Sequence, residues 1–295
     1  MDLTISIPTW NSKAYLKRCL ESIYQSVNGL ACEVVVVDNA SSDGTAEMVR
    51  QDFPQVTLIV NPENRGYGRA NNQVIRRAAG RYVLVLNEDT VILEGTLERM
   101  VGYLDTHLTV GALGCKIYTS LAHNAIQPSA FYKFPTPENY LLNRLASWWV
   151  GQAPRSPVAR RFQRWVLPYA EDHEVAQEPR HIVGAIMLLR KASVEDAGLF
   201  DERFFLFYEE TDLCHRLRKA GWRIAYIPDA AIVHFYDRNR PRRSGYDPRY
   251  DESFTRYLLK HHTLVSVLVW KTLYGFSVAK ARLVMHGKNR LIVGN

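Results

Sequence analysis

Three short stretches of this chain place polar side chains where chemistry can be done. Residues 83–89, Val-Leu-Val-Leu-Asn-Glu-Asp, run from four apolar residues straight into an amide and two carboxylates. Carboxylates at the end of a buried segment invite a hard divalent cation, which takes oxygen ligands and shares them with a substrate's phosphates. The other use of Asp89 and Thr90 is a turn followed by a helix cap. Residues 209–212, Glu-Glu-Thr-Asp, gather three acids within four positions. Mutual repulsion raises the proton affinity of one of them, which suits a general base near neutral pH; a solvated acidic surface is the alternative. His234 ends the apolar run Ala231-Ile232-Val233. A neutral imidazole there either completes a metal site begun by Asp89 or is a hydrogen-bonded core residue.

The elements that must carry these groups follow from periodicity. Val83 to Leu86 has neither helical spacing nor polar alternation, which fits a central strand of a parallel sheet with both faces covered. Asn87, Glu88 and Asp89 then lie in the crevice outside its carboxyl end. Ile5 and Ile7 lead through Pro8-Thr9-Trp10-Asn11-Ser12 into a helix marked by Leu16, Cys19, Leu20 and Ile23. Glu33 to Val37 is a second strand stopped by Asp38-Asn39, and Val56 to Val60 a third. The latter runs into Asn64-Arg65-Gly66-Tyr67-Gly68 and a helix through about Ala79. Strands alternating with helices imply a parallel, Rossmann-like half whose loops share one crevice. Asp38 can take a base or ribose hydrogen bond or cap the next turn, a task open equally to Asp43. Gly66 and Gly68 offer an anion a helix N-terminus, yet the third glycine of a dinucleotide fingerprint is missing.

Farther along, Ile182 to Leu189 reads as a strand with Gly184 permitting close backbone approach. The acids open a helix that stops at Ala220-Gly221. At about 100° per residue, Glu209 and Glu210 flank its apolar stripe while Asp212 points away. Trp222 to Pro228 and Ala231 to His234 read as two strands joined by a turn. Residues 120–180 lose regular periodicity: Pro128, Pro135, Pro137, Pro154, Pro157 and Pro168 interrupt aromatic residues such as Phe131, Tyr132, Tyr140, Trp148, Trp149 and Trp165. With Arg155, Arg160, Arg161 and Arg164 among them, the stretch either covers the crevice, meets an acceptor or membrane surface, or is a packed layer.

A chain of 295 residues, 47% hydrophobic and 23% charged, buries a sizeable core and excludes wholesale disorder. Cys19, Cys32, Cys115 and Cys214 show no Cys-x-x-Cys spacing, and Met1 leads directly into a strand. A reduced, cytoplasmic location is the expectation. The net charge of +7 is concentrated in the second half. Arg238 to Arg243 form a basic loop, and the apolar run from Thr263 to Trp270 is too short to cross a bilayer. Trp270, Leu273, Tyr274 and Phe276 among Lys260, Lys271, Lys280 and Arg282 suit an amphipathic helix on anionic lipid at the inner face of the membrane. Docking on its own domain or on a second subunit, as a homodimer, fits equally.

Seven stretches in order, over about residues 3–236, resemble the inverting glycosyltransferases of family 2, in particular their bacterial rhamnosyltransferase-like branch. They are Ser6 to Asn11, Val37 to Thr45, Asn64-x-Gly66 with Asn72, Asn87-Glu88-Asp89, Gly184-Ala185 to Arg190, Phe200-Asp201-Glu202 to Asp212, and Pro228 to His234. The resemblance implies an α/β GT-A fold: a mixed, mostly parallel sheet flanked by helices, with a helical C-terminal tail. It implies a glycosyltransferase domain over 1–236, with a nucleotide-binding half 1–110 and an acceptor and catalytic half 111–236, followed by a basic tail over 237–295. The implied donor is a dTDP-, UDP- or GDP-sugar, and rhamnose is the sugar that the branch points to. The implied acceptor is a glycan or lipid-linked saccharide of cell-wall or polysaccharide biosynthesis.

By the same resemblance, Asp38 lies near the base, and Pro8, Thr9, Trp10, Asn11, Asn39, Arg65, Gly66, Gly68, Asn72, Asn87, Glu88 and Gly184 line the donor. Asp89, with His234, would hold Mg²⁺ or Mn²⁺. The family's base, the Asp of a Glu-Asp pair, falls on Glu210, with Glu209 and Asp212 as alternatives. Two departures are visible: Glu210 is one methylene longer than that Asp, and Asn87 replaces the first Asp of the metal motif. A nucleotidyltransferase would want a Gly-rich, Arg- or Lys-containing loop after the first strand, which is missing. A non-catalytic protein on nucleic acid or membrane would leave the acid motifs idle, so no nucleic-acid partner is expected.

Overall fold

The first strand, β1 (Leu3–Thr9), is buried at all seven positions, and β4 (Tyr82–Leu86) at all five, as unbroken apolar runs demand. The structure, a computed structural model, describes residues 1–27, 29–123, 125–127, 131–132, 149, 156–158, 172–235, 248–268 and 271–272. β2 (Cys32–Asp38) and β3 (Thr57–Val60) complete a parallel β3-β2-β1-β4 half. Parallel neighbours need long connections, here supplied by α1 (Lys13–Ser26), α2 (Thr45–Asp52) and α3 (Tyr67–Ile75). Leu16, Cys19, Leu20 and Ile23 of α1 are buried as their spacing predicts. Helix α3 stops four residues before Ala79: Arg77 and Ala78 turn to carbonyls three residues back, and the Ala79 amide goes to Glu33 Oε1 at 3.0 Å.

Past β4 come β5 (Thr90–Ile92), α4 (Thr96–Thr106) and β6 (Val110–Tyr118). They are followed by β7 (Phe131–Tyr132), β8 (His181–Ile182), β9 (Ile186–Arg190), α5 (Lys191–Ala197), α6 (Glu209–Lys219), β10 (Arg223–His234) and α7 (Pro248–His261). The eight-stranded order is β3-β2-β1-β4-β9-β6-β10-β5, and β7 pairs with β8 in a separate ribbon. β9 runs antiparallel to both β4 and β6, and β5 antiparallel to β10, so the sheet is mixed.

Two expected boundaries are corrected. Ile182 to Leu189 is not one strand: β8 ends at Ile182, β9 begins at Ile186, and residues 183–185 form a break between two different sheets. Conversely, the two strands expected at Trp222–Pro228 and Ala231–His234 are one, whose pairing with β6 shifts register between Ile227 and Ala231. Pro228 has no N–H to donate there, so a bulge replaces the expected turn.

The chain divides into two compact units, one of Met1–Phe134 with Glu171–Ser253, the other of Pro135–Ala170 with Phe254–Asn295. Most of the proline- and aromatic-rich stretch, including Tyr140, Trp148, Trp165 and its four arginines, lies outside the described residues. So do Arg238–Arg243, Trp270 and everything after 272. Among the described residues, no helix is long and apolar enough to cross a membrane.

Candidate active site

The carboxyl ends of β1 and β2 form one wall of the crevice. Thr9 and Asp38 are buried there, and Thr9 Oγ1 and Asp38 Oδ1 have no partner within the protein. Burying an unpaired polar oxygen costs about 1–3 kcal/mol, which marks both as open to a partner from outside the chain. Both acids tie down the following turn: Asp38 Oδ2 accepts from the Ser41 amide at 3.2 Å, and Asp43 accepts from the Lys13 amide at 3.0 Å and the Thr45 amide at 3.1 Å. Asn39 accepts from Asn61 Nδ2 at 2.9 Å, and Asn11, at φ 50°, binds Ser41 and the Ser42 amide, so both asparagines lace loops together. Pro8 is buried in β1, whereas Trp10 stands 51% exposed at its end.

Around α3, Gly66, Gly68 and Asn72 pack against residues 200–205. A Cβ at Gly66, where φ is +79°, would run into the Phe205 carbonyl, which accepts the Tyr67 amide at 3.0 Å. One amide of the helix N-terminus expected to receive an anion is therefore taken by the protein itself. Gly68 would bring a Cβ to 3.1 Å from Phe200, and Arg65 is exposed. Asn72 is buried and fully engaged: its Nδ2 donates to the Phe200 carbonyl at 2.9 Å and Glu202 Oε1 at 3.0 Å, and its Oδ1 accepts from the Phe200 amide at 3.0 Å. Glu202 also accepts from Arg69 and Arg76, so α3 grips residues 200–205.

At the end of β4 the cation candidates meet. His234 Nε2 lies 3.1 Å from Asp89 Oδ1 and 3.4 Å from Asn87 Nδ2, while its Nδ1 sits 2.9 Å from Gln127 Oε1. An amide oxygen can only accept, so Nδ1 carries a proton toward Gln127, and in the neutral ring that tautomer leaves the Nε2 lone pair for a cation beside the carboxylate. One imidazole nitrogen and one carboxylate oxygen leave most positions of a Mg²⁺ or Mn²⁺ ion open for phosphate and water, which fits a cation shared with a substrate. No set of three or more His, Cys, Asp or Glu that could hold a metal occurs among the described residues. Glu88 instead accepts from Ser12 Oγ at 3.0 Å.

Two consecutive left-handed residues, Phe207 (φ 70°) and Tyr208 (φ 67°), swing the chain into α6. Such a conformation costs roughly 1–2 kcal/mol per non-glycine residue. It is held by Tyr208 donating to Tyr250 at 2.6 Å and Ser253 to the Leu206 carbonyl at 2.8 Å. The acids emerge at the start of the helix. Glu209 and Glu210 each keep a buried Oε2 without a partner. Burial, then the charge of Glu210, lifts the Glu209 pKa well above the usual carboxylate range. Burial lifts that of Glu210 to about 7, against hydrogen bonds from backbone amides. A carboxylate with that affinity can take a proton near neutral pH. Gly184 lies alongside, where an added Cβ would meet Glu210 Cβ at 3.6 Å and the Tyr67 hydroxyl at 3.5 Å.

Asp212 does not point away from the interior as the helical wheel suggested. It is fully buried and bonds Arg216 Nε at 2.8 Å. Arg216 in turn donates to the carbonyls of Ala197, Gly198 and Leu199, each at 2.7 Å. This carboxylate is occupied with holding a loop. Sequence reasoning gave no site role to Tyr67, Gln127 or Glu202. An aromatic hydroxyl opening a crevice-side helix was a usable signal for Tyr67; Gln127 and Glu202 act through partners 107 and 130 residues away, which no local pattern shows.

A family model described as Glycosyl transferase family 2 matches residues 4–197. Among curated relatives, an N-acetylglucosaminyl-diphospho-decaprenol L-rhamnosyltransferase of Mycobacterium tuberculosis (strain ATCC 25618 / H37Rv) is 28% identical over 302 residues, covering 97% of this chain and 89% of that protein. Among solved structures, GalNAc-T7 with UDP, GalNAc and Mn²⁺ superposes with a TM-score of 0.62 at 13% identity, over 88% of this chain and 48% of that one. The mannosyltransferase PcManGT from Pyrobaculum calidifontis, in complex with GDP-Man and Mn²⁺, gives 0.57 at 20% identity, over 99% of this chain and 81% of that one. These structural likenesses agree with the mixed sheet in showing a GT-A fold. The chain belongs to glycosyl transferase family 2 and is a glycosyltransferase.

Proposed function

We propose that this glycosyltransferase moves a sugar, with inversion at the anomeric carbon, from a nucleotide-sugar to a hydroxyl of a lipid-linked saccharide, with a divalent cation held by Asp89 and His234. The observation that carries this reading is the pair of buried, partnerless carboxyl oxygens of Glu209 and Glu210, the latter beside Gly184, whose neighbour Ala185 accepts the Asn87 amide at 3.0 Å. Rhamnose is the sugar we favour. The mycobacterial relative is named for L-rhamnosyl transfer to a decaprenol-linked N-acetylglucosamine, and it spans nearly the whole chain. Mn²⁺ accompanies the nucleotide in both structural neighbours, which supports a cation here and leaves Mg²⁺ as the other candidate.

Each group then has a task. Asp38 Oδ1 and Thr9 Oγ1 would receive the donors of the nucleoside, with Asn11 and Asn39 holding the loops in register. A cation on Asp89 and His234 would offset the charge that develops on the leaving diphosphate. Glu210 would take the proton of the acceptor hydroxyl as it attacks from the face opposite the leaving group. Glu209, more deeply buried, would stay protonated and so leave Glu210 free to ionise. In the same reading, residues 1–110 serve the donor, 111–236 the acceptor and the chemistry, and the basic tail over 237–295 rests on the anionic inner face of the membrane. Pairing with a second copy is the tail's other use.

A thermal-shift screen of UDP-, dTDP- and GDP-sugars tests the donor site, run with Mn²⁺ or Mg²⁺ and again with chelator. A metal-dependent rise with one nucleotide is expected; no rise with any would reject it. Sedimentation with anionic vesicles at low salt, where binding is expected, tests the tail.

A further inference from the structure

Residues 184 and 185 sit at a crossing of the site. The Ala185 carbonyl accepts from the Asn87 amide at 3.0 Å, fixing the end of β4, and the Gly184 carbonyl accepts from the Tyr67 hydroxyl at 2.5 Å. Gly184 has no positive φ, and an added Cβ would meet only ordinary contacts, 3.5 Å to the Tyr67 hydroxyl and 3.6 Å to Glu210 Cβ. Tyr67 therefore reaches from α3 into the gap beside the acid that we assign as base. Its own backbone is bound to the other flank: the Tyr67 amide donates to Phe205 at 3.0 Å, two residues before the strained pair that launches α6. Its ring stands edge-on to Phe200 at 6.3 Å, the residue that Asn72 clamps.

From this geometry we infer that Tyr67 is a positioning residue for the transfer step: one residue whose phenol holds the 184–185 segment and whose backbone amide holds the 205–208 segment, and which so sets Glu210 against the 87–89 metal motif. The inference rests on the function proposed above and concerns a residue that touches neither the cation ligands nor Glu210 through a hydrogen bond. Both segments that flank the base are loops, and loops are free to drift unless tied. Tyr67 ties one through its phenol and the other through its amide. Burial first, then the charges of Glu209, Glu210 and Glu88, hold its pKa well above that of a free phenol, so the latch remains a hydroxyl donor across the working pH range.

The variant Tyr67→Phe removes the phenol bond and keeps the amide bond and the ring. Tyr82→Phe is the control, since it deletes another buried phenol that donates to a carboxylate, Asp105, at 2.7 Å away from the crevice. The expected result has two parts. Hydrogen exchange at the Asn87 amide and over 183–187 rises on the order of tenfold in Tyr67→Phe and stays at the wild-type rate in Tyr82→Phe. In turnover of the nucleotide-sugar identified by thermal shift, kcat falls on the order of 10²-fold in Tyr67→Phe with donor Kd unchanged, whereas Tyr82→Phe loses thermal stability and keeps its kcat. Unchanged exchange at Asn87 would overturn the latch whatever the activity. Faster exchange with wild-type kcat would overturn its role in positioning and leave a merely structural bond. Wild-type protein that turns over no nucleotide-sugar would remove the function on which the inference rests, an outcome that the exchange measurement keeps separate from failure of the latch.

Discussion

His234 Nε2 and Asp89 Oδ1 stand 3.1 Å apart, brought together because β10 ends on His234 where it pairs antiparallel with Thr90, the residue after Asp89. The pairing fixes both backbones, and Gln127 fixes the imidazole. Asp89→Ala is expected to abolish metal-dependent donor binding in calorimetry. Gln127→Leu leaves both ligands in place but frees the ring, and Mn²⁺ affinity should fall about 10–100-fold. Metal affinity unchanged in both variants would reject the cation site.

Glu210→Gln keeps the shape of the side chain and removes its basicity. Turnover should fall on the order of 10²–10⁴-fold, with donor Kd close to wild type. Because Glu210 must be ionised to accept a proton and burial places its pKa at about 7, kcat/KM in the wild type should climb through about pH 7 and then level. Near-normal turnover in Glu210→Gln would transfer the role to Glu209.

The same burial has a cost in stability. An unfolded glutamic acid has a pKa of about 4.3, and the folded protein raises both Glu209 and Glu210 above it. Between those values the native state binds more protons than the unfolded chain, so stability falls as pH rises. The contribution of Glu210 is complete below about pH 4 and is lost as the pH passes through about 7, while that of Glu209 is lost as the pH rises toward its own, strongly raised pKa. Glu209→Gln should therefore melt higher than wild type at pH 8 by several degrees, an advantage that disappears toward pH 4. Equal melting temperatures at pH 8 would show that these carboxyls are hydrated, not buried.

Much of the site was legible because two-sided burial writes itself as apolar runs. β1, β2 and β4 stop where Thr9, Asp38 and Asn87 begin, and a parallel sheet sends those ends to one edge. What stayed hidden depends on partners distant in the chain. Asn72 reads as a donor ligand in its motif, yet its side chain bonds to Phe200 and Glu202. Gly66 reads as an anion cradle because a glycine before a helix admits close approach by any acceptor; here that acceptor is the Phe205 carbonyl. Neither the direction of β9 nor the single span of β10 is encoded locally, since an apolar run has the same appearance in either direction and Pro228 marks a bulge as readily as a turn.

Asp212 supplies the last separation between building the site and working in it. Its carboxylate is fully buried and paired with Arg216, which is 18% exposed in its side chain and holds the carbonyls of residues 197–199. Removing one partner of such a pair leaves the other unmatched and costs about 3 kcal/mol or more when the pair is fully buried; partial access of water to Arg216 reduces this to about 2 kcal/mol. Asp212→Asn should accordingly lower the unfolding midpoint in urea, while the folded fraction keeps a kcat within a few-fold of wild type and the same rise near pH 7. A loss of turnover as deep as that of Glu210→Gln, with stability intact, would instead make Asp212 the base. The geometry argues against that outcome, because the buried Asp212 carboxylate is committed to Arg216 Nε at 2.8 Å.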